Sequence, residues 1–319
     1  MDIVCLGELL IDMFPAELGR SLIEVSAWQP KPGGAPANVA VAAQRLGAES
    51  AFIGKVGDDA FGHYLTGVLE HEGVDVRGMR YDSEARTAMA FVAKPDENSY
   101  DILFYRNPGA DMRLQADELD RELLQSARAL HFGSISLIQE PSRSATLEAL
   151  RIARQAGALI SFDVNYRPDL WSRDSARERV LATIPLVDLL KVNEIEVELL
   201  TGSGDPDTAS KSLMALGPQL CVVTMGPDGS YFRVTGGGEY VPPFRVNTVD
   251  ATGCGDAFIA SLLCKLVLDA DWREQLSVDR MRQILRYANA VGALTSLTQG
   301  AIPALPSTAQ VNQFLAGQD

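Results

Sequence analysis

Basic residues are scarce in this chain: 28 Lys and Arg stand against 42 Asp and Glu, a formal net charge of −14. Nucleic acid and anionic membrane surfaces reward clustered cations, so neither is expected as the main partner. Cysteine is thin as well. Cys5, Cys221, Cys254 and Cys264 form no C-x-x-C pair and have no histidine-rich companion cluster. That pattern indicates neither a zinc site nor a disulfide framework, and it fits reduced thiols in a cytoplasm. No hydrophobic run approaches a membrane span, and the apolar start of the chain is broken by Glu8 and Asp12, so it does not read as a signal peptide. Internal repeats and low-complexity linkers are missing. So are a G-x-x-x-x-G-K-[ST] phosphate loop, a G-x-G-x-x-G fingerprint after a strand and a G-x-S-x-G elbow, which disfavours P-loop, dinucleotide-binding and α/β-hydrolase chemistry.

What is present is an ordinary globular composition, 46% hydrophobic and 22% charged, over 319 residues. Short apolar runs at Ile3 to Leu6, Ala51 to Gly54, Leu130 to Phe132, Leu159 to Phe162, Leu189 to Val192 and Cys221 to Met225 predict strands. Between the later ones, Pro141 to Gln155, Ser175 to Thr183, Glu194 to Leu200 and Thr208 to Leu216 predict helices, and Arg280 to Leu297 a long one near the end. Gly33-Gly34-Ala35-Pro36-Ala37-Asn38 predicts a glycine-lined helix start, and Gly57-Asp58-Asp59 a turn and cap. This alternation predicts an α/β fold with a mostly parallel twisted sheet, helices on both faces and ligands at the carboxyl ends of the strands. Ala88 to Ala93 and Tyr100 to Tyr105, joined by a polar turn from Pro95 to Ser99, stand apart as a hairpin suited to a small sheet over the cleft. One domain over 1–319 is expected, its lid built from inserted strands around 12–34 and 86–112. Open edges on such a sheet suit pairing with a second copy, so a homodimer through the lid is expected.

The stretch Asp250-Ala-Thr-Gly-Cys-Gly-Asp-Ala-Phe258 is the chemical focus. Gly253 and Gly255 lead into an apolar helix, and the free N–H groups of a helix start suit an anion such as a phosphate. Asp256 would repel that phosphate unless it had its own task. It reads either as a first-turn acid before a core helix or as a base taking the proton from an attacking alcohol. Gly133-Ser134, Asp163 with Asn165 and Arg167, Asn193 with Glu196, and Gly226 to Gly229 all follow strands, so they gather on the same edge.

Gly33 through Gly47, Gly54 to Gly62 and Asp250 to Phe258 resemble the two signature regions of the ribokinase-like (PfkB) carbohydrate kinases. Phe104 to Met112, His131 to Leu137 and Asp163 to Arg167 with Leu170-Trp171 are similar to segments of its fructokinase branch. The resemblance implies a ribokinase-like fold and transfer of phosphate from ATP to D-fructose, giving fructose 6-phosphate. Asp256 matches the catalytic base and Gly253, Cys254 and Gly255 the anion hole, with Cys254 in place of the more usual alanine, its thiol packed. Asp12, Gly33, Gly34 and Asn38 match sugar-contacting positions, Arg106 a lid contact, and Asp163, Asn165 and Arg167 the phosphate path. Lys191, Asn193, Thr224, Gly226, Gly229 and Asn289 match the nucleotide side. Asn193 and Glu196 fit the pattern that organises Mg²⁺ through its waters. Asp250 and Thr252, with Thr295, Thr298 and Gly300, occupy positions where relatives bind a monovalent cation such as K⁺. A kinase of ribose or 2-keto-3-deoxygluconate and a non-catalytic sugar or nucleotide sensor are the competing readings, because pocket side chains, not spacing, select the sugar.

Overall fold

Residues 1–319 other than 18, 94, 96–100, 269–270 and 319 are described by a computed structural model. The chain opens with β1 (Ile3–Leu6), β2 (Leu10–Pro15) and β3 (Trp28–Gly33), then α1 (Ala35–Arg45), β4 (Ser50–Gly57), α2 (Ala60–His71) and β5 (Asp75–Asp82). Next come β6 (Met89–Ala93) and β7 (Asp101–Tyr105). The alternating part follows as α3 (Arg121–Ser126), β8 (Ala129–Gly133), α4 (Ser142–Gln155), β9 (Leu159–Asp163), α5 (Arg173–Thr183), β10 (Leu189–Asn193), α6 (Glu194–Thr201), α7 (Pro206–Met214) and β11 (Leu220–Thr224). The chain closes with β12 (Ser230–Val234), β13 (Gly237–Val241), α8 (Cys254–Leu268), α9 (Val278–Thr295) and α10 (Thr308–Ala316).

A nine-stranded sheet runs in the order β13-β12-β11-β10-β9-β8-β1-β4-β5. From β11 to β5 every pairing is parallel, while β12 and β13 pair antiparallel at one edge. Successive side chains of a strand point to opposite faces, and β1 shows the result: Ile3 and Cys5 join a core with α1, α8 and α9, whereas Val4 and Leu6 join one with α3, α4 and α6. Asp59 accepts from the N–H groups of Phe61 (3.1 Å) and Gly62 (2.9 Å), starting α2 as its sequence predicts. The edge strands β5, β12 and β13 and the helices α3 and α10 carry no strong sequence signal. The turn at Gly226 feeds antiparallel β12, not a further parallel unit.

The second sheet has the order β3-β2-β6-β7. Two antiparallel pairs, β2 with β3 and β6 with β7, are joined by a parallel pairing of β2 with β6, so the small sheet is mixed. The turn expected from Pro95 to Ser99 lies largely outside the described residues. Among the described residues no helix is long and apolar enough to cross a membrane.

Candidate active site

Strand direction sets the location. At or just past the carboxyl ends of β1, β8, β9, β10 and β11 stand Glu8, Ile135, Asp163 with Asn165 and Arg167, Lys191 with Asn193, and Thr224. All of them line one cavity of about 620 Å³. One face of the small sheet, Leu10, Asp12, Phe14, Ala90, Val92, Ile102 and Phe104, forms its roof. Gly34, Ala35 and Asn38 from the start of α1, and Thr252, Gly253, Gly255 and Asp256 from the start of α8, complete the wall.

Asp256 sits in the first turn of α8, only 8% exposed, and its Oδ2 accepts from Asn38 Nδ2 at 2.8 Å. Burial pushes its carboxyl up to about 6. The Asn38 bond opposes the shift, Asp163 adds to it, and Lys191 and Arg167 counter it. Asp12 faces it from the roof, pushed up to about 7 by burial, with Arg167 opposing and Asp256, Glu8 and Asp250 adding. Its carboxylate lies over Gly33, where a Cβ would meet Oδ2 at 1.9 Å, and a Cβ on Gly34 would meet the Glu8 carbonyl at 2.4 Å. Both glycines are therefore dictated by close approach.

Lys191 is buried, and its Nζ donates to Asp163 Oδ2 at 2.6 Å. Burial works against its charge, but Asp163, Glu196 and Asp256 outweigh it and hold the ammonium above the ordinary lysine range. That ammonium lies 3.2 Å from where a Gly255 Cβ would be, so a cation is aimed at the glycine-lined helix start. Asp163 Oδ1 is buried without a partner. Asn165 holds a positive φ of 43°, which turns the chain at the end of β9.

The other expected site residues, Asn193 apart, lie behind this wall or away from it. Asn193 lines the cavity and caps α6, its Oδ1 accepting from Glu196 N–H at 2.9 Å. Both Glu196 oxygens are engaged, by Tyr166 N–H (2.7 Å) and Asn193 N–H (2.8 Å), and burial with Asp163 nearby raises its pKa. Asp250 joins two loops: Oδ1 accepts from Thr252 N–H and hydroxyl at 3.0 and 2.7 Å, Oδ2 from Gly300 N–H at 2.9 Å. Thr295, the last residue of α9, is buried and bonds the Val291 carbonyl, and Thr298 lies in the loop that follows. Cys254 points its thiol toward the Asp250 carbonyl at 3.9 Å, with its pKa pushed up to about 12 by burial. Gly226 and Gly229 shape the turn after β11, where a Cβ on Gly229 would meet the Val241 carbonyl at 2.4 Å. Asn289 ties α9 to β12 and β13 through Ser230, Val241 and Pro242. Arg106 is 4% exposed, ion-paired with Asp111, and lines a separate hollow under the roof's outer side. Glu8 was not expected, although the strand-end rule points to it. The apolar roof residues had no sequence signal, because their facing depends on pairing register.

A buried carboxylate oriented by an amide, next to a helix start whose glycines and lysine suit a phosphate, under an apolar roof over a polar floor, defines a phosphotransferase for a small hydroxyl-bearing acceptor. Comparison with known proteins agrees. The model of the pfkB family carbohydrate kinases matches residues 1–308. The probable fructokinase-2 of Arabidopsis thaliana is 45% identical over 315 residues, 98% of this chain and 95% of the relative. The structure of a fructokinase with bound ATP from Xylella fastidiosa superposes with a TM-score of 0.91 at 33% identity, covering 99% of this chain and 98% of that one. A fructokinase double mutant from Vibrio cholerae, in fructose, ADP and potassium ion bound form, gives 0.88 at 32% identity, with 98% of each chain covered. The chain belongs to the pfkB family of carbohydrate kinases and is a phosphotransferase acting on a sugar.

Proposed function

We propose that the protein transfers the terminal phosphoryl group of ATP to D-fructose, forming fructose 6-phosphate. The observation that carries this reading is Asp256, buried and aligned by Asn38 at the glycine-lined start of α8. In the proposed step the sugar hydroxyl donates to Asp256, which removes its proton as the phosphoryl group leaves ADP. The N–H groups around Gly253, Cys254 and Gly255 take up charge on the moving group, with Lys191 beside them. Asp12, Asn38 and the roof hold the sugar. Asp163, Asn165 and Arg167 line the phosphate path, and Thr224 with the Gly226–Gly229 turn the nucleotide side. Asn289 acts on that side through the strands it ties together.

Bound Mg²⁺ would supply neutralisation of the phosphate oxygens. Asn193 at the cavity wall and the buried, unpartnered Asp163 oxygen fit a cation that keeps its waters better than one held by protein ligands alone. The loops tied by Asp250 are rich in carbonyls and suit a monovalent cation such as K⁺. We read 1–319 as one kinase domain whose lid comes from the strands around 12–34 and 86–112, dimeric through that lid. The four unpaired thiols suit a reducing cytoplasm.

ADP production measured across fructose, glucose, ribose, mannose and 2-keto-3-deoxygluconate tests the substrate. The highest kcat/KM is expected for fructose, and a clear preference for another sugar would overturn that assignment.

A further inference from the structure

The cavity wall carries five carboxyl groups, Glu8, Asp12, Asp163, Asp169 and Asp256, against two cations, Arg167 and Lys191. Lys191 is bonded to Asp163 and aimed at Gly255, the phosphate end. Under the roof, then, Glu8, Asp12 and Asp256 face the acceptor with Arg167 alone to offset them. Two further cations stand close by, but neither lines the cavity. Lys31 sits with its ammonium 5.0 Å from the Phe14 ring centre and beside Gly300. Arg106 follows β7, and its guanidinium is held by Asp111 through Nε (2.9 Å) and through Nη2.

Glu8 lines the cavity and lies within electrostatic reach of that pair. Its Oε1 accepts from the Ala35 N–H at 3.0 Å, and Arg106 and Asp111 are among the charged groups acting on it. Glu8 Oε2, Arg106 Nη1 and Asp111 Oδ1 are all buried without hydrogen-bond partners. The lid arginine is thus held by Asp111 and kept off the cavity wall, where Glu8 stands instead.

We infer that Glu8 and Asp111 are specificity determinants that reserve the site for neutral sugars and exclude acceptors bearing a carboxylate. This rests on the sugar-kinase reading and adds the charge class of the acceptor. A carboxylate entering here would give up its hydration and meet three acids with Arg167 alone to offset them. A neutral polyol would donate its hydroxyl protons to the same carboxylates.

The experiment compares kcat/KM for D-fructose with that for 2-keto-3-deoxy-D-gluconate and D-gluconate in the wild type, Glu8→Gln, Asp111→Asn and the double variant. Gln keeps an acceptor for the Ala35 N–H, and Asn keeps one for Arg106. The wild type should prefer the neutral sugar by more than ~100-fold, as like-charge juxtaposition in a buried site implies. Each single variant should lower that ratio at least ~10-fold, mainly through the KM of the acid, and the double variant further, with the KM for ATP held within about twofold. A wild type that uses the acids as well as fructose, or a ratio unmoved by both single changes, would overturn the inference. If the wild type turns over no sugar, the kinase reading itself fails. Calorimetric titration of fructose and gluconate into the same four proteins then decides the charge selection separately: gluconate binding that appears only in the variants supports it, and equal gluconate binding by all four sinks it.

Discussion

Asp256 is where burial and chemistry pull against each other. As the proposed base it must be ionised, yet burial holds its pKa near 6 and that of its neighbour Asp12 near 7. Protonation of either carboxyl removes an acceptor for hydroxyl protons, so kcat/KM should drop as pH falls through about 7 to 6 and level off above. A pH–rate profile flat down to pH ~5 would contradict this base assignment. Stability should move the other way. Glu8, Asp12 and Asp256 bind protons more readily in the folded chain than in the unfolded one, so their burial opposes folding above about 7 and opposes it less as pH falls. Asp256→Asn keeps an acceptor for Asn38, so its Tm should not fall below wild type while kcat drops at least ~10³-fold and ATP still binds. Near-normal turnover in that variant would leave the mechanism without its base. The stretch around Cys254 alone left Asp256 open between a first-turn acid and a base, and it was the strand-end residues gathering on the same edge that pointed to the cavity it lines. The commitments of Arg106 to Asp111 and of Asn289 to β12 and β13 were not legible, since they depend on which side chains the tertiary fold brings near.

At the scale of elements, the start of α8 depends on one backbone conformation. Gly253 has a φ of 78°, and a Cβ there would come within 2.9 Å of Ala301 Cβ and 3.0 Å of its Cα. Gly253→Ala therefore combines a left-handed backbone with a clash, at a cost of roughly 1–3 kcal/mol. Misaligning the N–H groups should lower kcat more than it raises either KM. Cys254→Ala removes only a thiol directed at the Asp250 carbonyl, so kcat should stay within about twofold. Melting curves and steady-state kinetics on the two variants separate the cases, and equal effects would mean that the backbone of this turn is not what matters. The Asn193-x-x-Glu196 pattern is instructive in the same way: the structure uses it as a capping box, with both side chains bonded to backbone N–H groups. A pattern linked by resemblance to a metal thus also has a local structural task, and spacing alone cannot separate the two. The parallel strands β1, β4 and β8 to β11 were legible from their apolar runs, because burial on both faces removes polar alternation, whereas β5, half-buried at the edge, was not. Strands β12 and β13 were not, since the Gly236-Gly237-Gly238 run, which includes the first two residues of β13, is a turn signal without a hydrophobic partner pattern.

At the scale of the whole molecule, the small sheet has two faces. Its inner face roofs the cavity. Strand alternation puts Trp28, Phe91, Leu103 and Tyr105 on the other face, where Trp28 and Phe91 ring centres lie 5.0 Å apart and Phe91 and Tyr105 5.3 Å. Leu103 is 47% and Tyr105 61% exposed. Contiguous apolar surface beside the open edges of β3 and β7 is the kind of face a second copy covers. Sedimentation velocity should accordingly give a dimer at micromolar concentration, and Leu103→Asp with Tyr105→Asp should give a monomer with an unchanged main-domain melting transition. Because the same strands carry Asp12, Ile102 and Phe104 on their inner face, loosening the outer contact loosens the roof. The monomeric variant should therefore raise the KM for the sugar several-fold while the KM for ATP, which the proposed function places at the strand ends, moves little. A wild type that sediments as a monomer, or a dimer indifferent to both aspartates, would show that this face serves some other purpose than self-association.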